Sequence, residues 1–431
     1  MGGEIILVVA MLVILILLGI PMAFSVGITA VSGLYLFFGG VDALPQIARI
    51  ISRTLQDFVL TSVPLFILMS HIMLRTGVGH DLFEVVSKWI RHIPGGLGNA
   101  AVASCAIFAA ISGSSPATVA TIGTVAAPEM ISRGYDEKLT YGILVGGGAL
   151  GILIPPSIPM ILYGSITDVS VGKLFIAGII PGLLTAVMMI GYTMYVALTT
   201  QKCPIENSAS WFERWRATRK AFWVLLAIPI ILGSIYSGLA TPTEAAGLGV
   251  VYTIIISIYV YRTITWSGLP RVLAEGAKTA SMILFLVASA IVFGHLITLM
   301  QAPAMLLEFI SNLDASPWVI LILLNVFFFL LGMFLEPAPI ILIVLPVLWP
   351  IVVDFNWDPI WFAIVMTINL ELGCLTPPVG MNLYVMKGIS NARLGDILLG
   401  SVPYAMIHGA TLILVLLFSD IPLFLVRKMF S

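Results

Sequence analysis

The stretch that most constrains this fold is Gly146–Pro159, whose sequence is GGGALGILIPPSIP. It lies inside an apolar segment long enough to cross a bilayer, yet it contains three consecutive glycines and three prolines. Two adjacent prolines remove two helix hydrogen-bond donors, and Pro156 disfavours the α conformation at Pro155. The helix must therefore break at membrane depth, where irregular backbone is tolerated only when it is buried in protein or lines a polar cavity.

A second break of the same kind follows at Gly373–Val379, with the sequence GCLTPPV. Gly-Ile-Leu-Ile-Pro-Pro at 151–156 and Gly-Cys-Leu-Thr-Pro-Pro at 373–378 share both their spacing and their pattern. Two interrupted spans at corresponding positions of two halves are typical of the binding site of a secondary transporter. We therefore expect both breaks to contribute to one transport site.

The composition indicates a membrane protein, because 60% of the residues are hydrophobic and only 10% are charged, against about a quarter in soluble domains. The apolar runs do not alternate with polar residues, so they predict helices and not a transmembrane β-barrel. The net charge of −1 gives no reason to expect nucleic acid as a partner. Cys105, Cys203 and Cys374 are far apart in sequence, and we expect no structural disulfide. The predicted class is an all-α polytopic membrane protein in the lipid bilayer.

The apolar segments fall into two halves with the same order: three spans, a short-helix hairpin, a broken span and a final span. In the first half they cover about 4–18, 22–39, 52–74, 97–131 (two pieces), 138–165 (broken) and 172–198. In the second they cover about 220–237, 241–262, 273–301, 316–353 (two pieces), 359–386 (broken) and 396–425. The pieces of 97–131 and 316–353 are short for full crossings, so they predict re-entrant hairpins.

Each half has five full crossings. Because this number is odd, the second half starts on the opposite side of the membrane and must be inverted relative to the first. The predicted domains are a first inverted repeat over 1–200, a cytoplasmic linker over 201–219 and a second inverted repeat over 220–431. With both termini outside, in the periplasm, 15 of the 20 lysines and arginines lie on the cytoplasmic side, in agreement with the positive-inside rule. Hairpin 97–131 then opens from the cytoplasm and hairpin 316–353 from outside.

Two further segments have the apolar spacing of helices that lie along the membrane interface, Asp81–His92 and Trp211–Lys220. The alternative is that both are connectors with basic side chains that reach the lipid headgroups. The first apolar run, Ile5–Gly19, lacks a basic region and a small-residue cleavage site, so we expect a retained helix and not a signal peptide.

The tip of the first hairpin, Ser112–Thr118, has the sequence SGSSPAT. Its hydroxyls are costly at membrane depth unless they are used, and the free helix ends beside it suit a cation at a C-terminus and an anion at an N-terminus. Alternatively, Ser114 or Ser115 caps the second helix. Oxygen ligands without a buried carboxylate suit Na⁺ and not a transition metal. No nucleotide-binding loop is present, so an ion gradient must supply the energy.

Six motifs in order resemble the large membrane subunit of tripartite ATP-independent periplasmic (TRAP) transporters, the DctM-like family, over essentially the whole chain. They are LLGIPMAFSVG (17–27), FAAISGSSPATVATIG (108–123), GILIPPSIPMILYG (151–164), GLATPTEAAG (238–247), LGMFLEPAPIILI (331–343) and NLELGCLTPPVGMNLYV (369–385). The resemblance implies an elevator-type transporter, in which the hairpins and broken helices form a transport domain that moves across a scaffold of the remaining helices. It also implies Na⁺-coupled import of a small organic anion, such as a C4-dicarboxylate or a sialic-acid-like carboxylate, across the inner membrane of a bacterium or archaeon.

The resemblance further implies two partners and a set of site residues. The partners are a periplasmic substrate-binding protein and a small membrane subunit, which we expect to be a separate chain. The two implied sodium sites comprise Ser112, Ser115, Gly151, Ile154 and Pro156 in the first half, and Gly332, Gly373, Thr376 and Val379 in the second. From their position beside the tips, Ser114, Thr118, Ser157 and Asn382 are predicted to bind substrate.

Five ionisable residues in or near the apolar segments have both functional and structural interpretations. Glu371 could tune an ion site or pack as a hydrogen-bonded core residue, and Glu336 could cap a helix at the second tip. Glu244 likewise lies in or near an apolar segment. His295 and His408 could relay protons, or they could be core residues whose hydrogen bonds are satisfied within the protein.

Two other functions are compatible with the motifs. One is a divalent-anion/Na⁺ symporter of related hairpin architecture that needs no binding protein. The other is an intramembrane enzyme with Ser114 or Ser115 as nucleophile, which would need a base within hydrogen-bond reach. The motifs favour a transporter without enzymatic activity over both alternatives.

Overall fold

The computed structural model describes residues 2–200, 202–313 and 315–430, and every regular element within those ranges is helical. The predicted domain boundaries at Met1, Gln201 and Ser431 lie outside the described residues. The prediction of an all-α fold is confirmed.

Ten α-helices are described on each side of the polar linker. The first ten are α1 (Gly2–Leu17), α2 (Met22–Phe37), α3 (Leu44–Leu55), α4 (Ser62–Arg75), α5 (Val78–Ile90), α6 (Gly96–Ser112), α7 (Ser115–Ser132), α8 (Glu137–Ala149), α9 (Ile158–Thr167) and α10 (Val171–Thr199). The next ten are α11 (Trp211–Tyr236), α12 (Pro242–Ile255), α13 (Leu269–Leu299), α14 (Ala302–Ser311), α15 (Pro317–Gly332), α16 (Pro337–Asp354), α17 (Pro359–Cys374), α18 (Met381–Ile389), α19 (Leu394–Leu417) and α20 (Asp420–Phe430). A 3₁₀ turn extends α8 over Leu150–Ile152, and a π-helical turn extends α12 over Ile256–Val260.

Six helices among the described residues are long and apolar enough to cross a membrane: α10, α11, α12 with its extension, α13, α16 and α19. A seventh span results if α4 and α5 count as one, although they are bent by 71°. This is fewer than the ten full crossings predicted, because α1 and α2 have only 16 residues each and the broken spans are divided into short helices. Helix α16 has 18 residues and is long enough to cross alone, so length does not distinguish it from a full span.

The predicted span 52–74 is wrong in its first part, because it joins two separate helices. Helix α3 ends at Leu55, and α4 begins only at Ser62. Between them the carboxylate of Asp57 accepts hydrogen bonds from the backbone N–H groups of Val59 (2.7 Å) and Leu60 (3.2 Å). Those bonds fix a turn where the apolar run alone predicts a continuous helix.

The prediction of a helix at 211–220 is confirmed, but the helix is not a separate element, because these residues form the first part of α11. Ser210 and Glu213 form a capping box that starts α11, which continues unbroken into its apolar part. The predicted interfacial helix at 81–92 lies largely within α5, which packs against the start of α11. The indole of Trp89 donates a hydrogen bond to Thr218 over 2.9 Å at that contact.

The two breaks lie among packed helices. Helix α8 contacts α6, α7 and α19, while α17 contacts α15 and α19. Across the two halves, Tyr163 of α9 donates a hydrogen bond to the Pro359 carbonyl at the start of α17 over 2.8 Å. The irregular backbone of both breaks is therefore enclosed by protein, as the cost of exposing it to lipid requires.

A contact between two backbones joins the first half of α8, before the break, to α19 through two glycines. A Cβ atom on Gly142 would fall against the carbonyl oxygen of Gly400, and a Cβ on Gly400 would fall against the carbonyl oxygen of Lys138. No side chain separates the two backbones at this point. The contact is possible only because neither position carries a Cβ atom.

We expect Gly142→Ala to lower the free energy of unfolding by about 1–3 kcal/mol, because the added methyl group meets backbone that cannot move aside. Thermal unfolding of the purified protein in detergent measures the effect. Gly191→Ala in α10 is the matched control, since its Cβ would meet nothing within 4 Å. Equal melting temperatures for the two variants would contradict the close contact.

Candidate functional site

The tip between α6 and α7 contacts the first break through backbone atoms. Within this tip, Ser112–Thr118, the two residues between the helices are Gly113, in the left-handed conformation at φ +62°, and Ser114. The Ile158 N–H donates to the Gly113 carbonyl over 3.4 Å. A Cβ on Gly151 would lie 2.5 Å from the Ser114 carbonyl oxygen. The Gly-rich sequence of the break thus allows the tip to approach it directly.

Hydroxyl groups are concentrated at this tip. The Ser112 Oγ lies 3.0 Å from Thr118 Oγ1, and Thr118 donates to the Ser114 carbonyl over 2.8 Å. Ser112, Ser115 and Thr118 are all buried. Ser114 occupies the N-cap position of α7 without a side-chain capping bond, and the Ser115 hydroxyl bonds elsewhere, so the capping interpretation is wrong for both serines.

The second tip contacts the second break in the same way. Gly332 and Gly373 approach so closely that a Cβ on Gly373 would lie 2.6 Å from the Gly332 Cα. The Met333 carbonyl accepts hydrogen bonds from the N–H groups of Val379 (3.2 Å) and Gly380 (3.1 Å). Each break thus pairs with the tip of its own half, and each contains a cis Pro–Pro bond.

A pair of hydrogen bonds joins the first tip to the start of α18, directly after the second break. The Ser115 Oγ lies 3.0 Å from Asn382 Oδ1 and 2.7 Å from its Nδ2, and both residues are buried. Ser115 was predicted as a sodium ligand and Asn382 as a substrate ligand. The structure brings these two predicted sets into direct contact.

A cavity of about 80 Å³ lies where both tips and both breaks meet. Its lining includes the first residues of four helices: Ser115 of α7, Ile158 of α9, Pro337 of α16 and Met381 of α18. Helix N-termini carry partial positive charge, which favours an anion. Two of these four residues offer no free N–H group, because the Ile158 N–H donates to the Gly113 carbonyl and Pro337 has none. Glu336 supplies the one carboxyl group among the described lining residues, which include no lysine, arginine or histidine to neutralise an anion.

Of the four predicted substrate-binding residues, only Ser114 lines this cavity. Thr118, Ser157 and Asn382 are fully buried and make hydrogen bonds within the protein. Ser157 caps α9 by accepting from the Met160 N–H, and it donates to the Ile152 carbonyl over 2.6 Å. To contact a substrate, their hydroxyl and amide groups would have to give up these hydrogen bonds within the protein.

The predicted sodium residues occupy the two tip–break contacts. Gly151 lies in the 3₁₀ turn that ends α8, and Ile154 and Pro156 follow it in the irregular segment. In the second half, the Thr376 hydroxyl donates to the Leu372 carbonyl over 2.8 Å, and Val379 is the last residue of the break. Carbonyl and hydroxyl oxygens are thus concentrated at both contacts.

Glu371 and His408 form a fully buried pair beside the second break, which sequence spacing could not reveal. The imidazole Nδ1 lies 3.3 Å from Glu371 Oε2, and its Nε2 lies 3.2 Å from the Gly146 carbonyl of α8. The contact is one of distance only, since neither Glu371 carboxyl oxygen nor His408 Nδ1 makes a hydrogen bond within the described part of the chain. His408 on α19 therefore connects the two broken spans. His295, by contrast, lies 3.4 Å from Gln46 of α3.

The other acidic residues of interest lie at helix starts or in ion pairs. Glu244 forms a capping box with Thr241 at the start of α12. Glu336 occupies the N-cap position of α16, as predicted, but its side chain makes no capping hydrogen bond. His80, Asp81 and Glu84 place possible metal-ligating atoms within 4.8 Å of one another, but the Lys220 ammonium contacts Asp81 (2.6 Å) and Glu84 (3.3 Å) and balances their charge.

Comparison with known proteins gives a consistent family match. The family model described as the DctM component of the tripartite ATP-independent periplasmic transporter matches residues 9–421. The C4-dicarboxylate TRAP transporter large permease protein DctM of Pseudomonas aeruginosa is 40% identical over 391 residues, which cover 91% of each chain. The ectoine TRAP transporter large permease protein TeaC of Halomonas elongata is 34% identical over 419 residues, covering 97% of this chain and 98% of TeaC.

The fold is also similar to the crystal structure of the Alcanivorax borkumensis YdaH transporter, described as having an unusual topology. The TM-score is 0.56 at 13% sequence identity, with 88% of each chain covered. At this identity the similarity concerns the fold alone.

We expect His408→Ala to destabilise the protein by about 1–3 kcal/mol, because it leaves the buried carboxyl group of Glu371 without the imidazole beside it. Combining it with Glu371→Gln removes the carboxyl group that the imidazole contacts, so the double variant should be more stable than the sum of the single effects predicts. Unfolding of the wild type, both single variants and the double variant measures the coupling, expected at about 0.5–3 kcal/mol. Additive effects would show that the two side chains do not interact.

Proposed function

Because this chain belongs to the DctM family of tripartite ATP-independent periplasmic transporters, we propose that it is the Na⁺-coupled permease subunit for a small organic anion. It is a transporter component of the bacterial inner membrane and not an enzyme. The observation that carries the finer proposal is the meeting of two tips, two breaks and four helix N-termini around one cavity.

The proposed sodium sites are the two tip–break contacts. The first comprises Ser112, Ser115, Gly151, Ile154 and Pro156, and the second Gly332, Gly373, Thr376 and Val379. Both offer carbonyl and hydroxyl oxygens from broken helices, the kind of hard, uncharged ligand that a weakly bound monovalent cation accepts.

The charge of the cavity supports coupling between ion and substrate. An anion there is attracted by four helix N-termini, but the described lining includes the carboxyl group of Glu336 and no lysine, arginine or histidine. A cation bound at either tip–break contact would add the positive charge that the lining lacks. Substrate binding therefore strengthens when Na⁺ is bound, which is the thermodynamic requirement for symport.

The size of the cavity supports a conformational step. About 80 Å³ is small beside the 300–1,000 Å³ of common ligand pockets. The tips must move apart, or the breaks rearrange, to admit a molecule of several carbon atoms. We propose an elevator mechanism with two inverted repeats, 1–200 and 220–431, whose hairpins and broken helices move together, with both termini in the periplasm.

The substrate class is a carboxylate such as a C4-dicarboxylate or a sialic-acid-like acid. The relatives are named for C4-dicarboxylates and for ectoine, so membership of the family does not select one compound. A periplasmic binding protein would deliver the substrate, and a separate small membrane subunit would complete the permease. The competing proposal is a symporter that works without a binding protein.

Na⁺ should raise the melting temperature of the purified protein relative to K⁺ or choline at equal ionic strength, because a ligand that binds only the folded state stabilises it. At a hundredfold excess over the Kd, the stabilisation is about 2.7 kcal/mol. The shift should shrink in Ser115→Ala and Thr376→Val. Thr367→Val is the matched control, since its hydroxyl also donates to the preceding turn of α17, to the Ala363 carbonyl, away from the break. Equal curves in the three salts would contradict the proposed sodium sites.

Uptake should require three components and a Na⁺ gradient. The permease and its small subunit are reconstituted in proteoliposomes, and labelled C4-dicarboxylates are added with or without the cognate binding protein. We expect accumulation only with the binding protein and an inward Na⁺ gradient. Uptake without the binding protein would support the competing symporter, and uptake without Na⁺ would exclude sodium coupling.

A further inference from the structure

A basic groove lies between α5 and the start of α11, away from both breaks. Its volume is about 470 Å³. Four basic and two acidic side chains line it: Lys88, Arg216, Arg219 and Lys220, with Glu84 and Glu213. We call this site the α5–α11 groove.

The acidic side chains of the groove are already paired with its lysines. Lys88 Nζ lies 3.3 Å from Glu213 Oε1, and Lys220 Nζ lies 3.3 Å from Glu84 Oε2. Arg216 and Arg219 are exposed and have no ion-pair or hydrogen-bond partner in the part of the chain that the structure describes. The groove therefore presents two guanidinium groups whose charge no neighbouring acid balances.

Large aromatic side chains surround the same helix start. Trp211, Phe212 and Trp215 have 74%, 75% and 69% of their surface exposed, which is costly in water but favourable at a membrane interface. The Arg214 guanidinium lies 5.4 Å from the Trp211 ring and 5.6 Å from the Trp89 ring, so a cation–π contact joins the start of α11 to the end of α5 beside the groove. This combination of exposed aromatic rings and unpaired arginines indicates the level of the lipid headgroups.

We propose that the α5–α11 groove binds the headgroup phosphate of an anionic phospholipid, such as phosphatidylglycerol. Arginine binds phosphate through paired N–H groups, and its charge attracts anionic lipid within a Debye length of the surface. The exposed tryptophans contact the adjoining glycerol and acyl region. A soluble phosphate lacks that apolar part, so the lipid is the occupant that satisfies both features of the groove.

Bound lipid would stabilise the connection between two parts of the chain. Helix α5 leads directly into α6 and packs against both α6 and α7. Its other contact, to α11, is maintained by the Trp89–Thr218 hydrogen bond and the Lys88–Glu213 ion pair. A phosphate held by Arg216 and Arg219 adds a further attachment of α11 to the membrane surface beside this contact.

The experiment compares lipid retention by the full-length protein in detergent, measured by native mass spectrometry after incubation with equal phosphatidylglycerol and phosphatidylcholine. The wild type should retain phosphatidylglycerol preferentially, and the double variant Arg216→Gln, Arg219→Gln should lose that preference by roughly ten- to thirty-fold. Glycerol phosphate in millimolar excess should not displace the lipid.

A charge-matched control is available on α3. Arg49→Gln, Arg53→Gln removes two positive charges from another amphipathic helix, and it should leave the preference for phosphatidylglycerol unchanged. An equal loss in this control would show general surface attraction and overturn the proposal. Unchanged retention in the Arg216, Arg219 variant would also overturn it, and displacement by glycerol phosphate would indicate a site for a soluble phosphate. A melting temperature of the variant in phosphatidylcholine equal to that of the wild type confirms that it is folded.

Discussion

The cost of an unsatisfied backbone polar group in hydrocarbon governs the architecture of this protein. Two spans are interrupted by Gly and Pro, and each interruption frees carbonyl and N–H groups that no lipid can satisfy. The structure satisfies part of them with the tip of the neighbouring helix pair, as in the bonds from Ile158 to Gly113 and from Val379 and Gly380 to Met333. Tip and break are therefore interdependent, and neither is stable at membrane depth without the other.

Two polar contacts extend this dependence from one half of the chain to the other. Ser115 and Asn382 join the first tip to the start of α18, directly after the second break, while His408 reaches both Glu371 of α17 and the Gly146 carbonyl of α8. Each contact is buried, where polar networks are strong when fully satisfied and costly when they are not. Rearrangement at one break therefore alters the environment of the other, and this coupling would link the two proposed sodium sites.

The sequence predicted what depends on local chemistry and missed what depends on long-range packing. Pro155, Pro156 and their counterparts dictate broken helices in any fold, so both breaks were foreseeable. The helix boundary near Asp57 was not foreseeable, because the turn there depends on hydrogen bonds to the Asp57 carboxylate, and the apolar run around it predicts a continuous helix. The pairing of Glu371 with His408, 37 positions apart, follows only from the packing of α17 against α19, and no periodic pattern could have indicated it.

The contact between Gly142 and Gly400 has a mechanical consequence. Where two helix backbones touch, no side chains lie between them that could rearrange to allow sliding. Helices α8 and α19 can therefore slide along one another only after they separate. A second contact between α8 and α19 is the one from the His408 imidazole to the Gly146 carbonyl. In the proposed elevator mechanism, the boundary between moving and fixed helices must therefore pass on the far side of α19, so that α19 moves together with the two breaks.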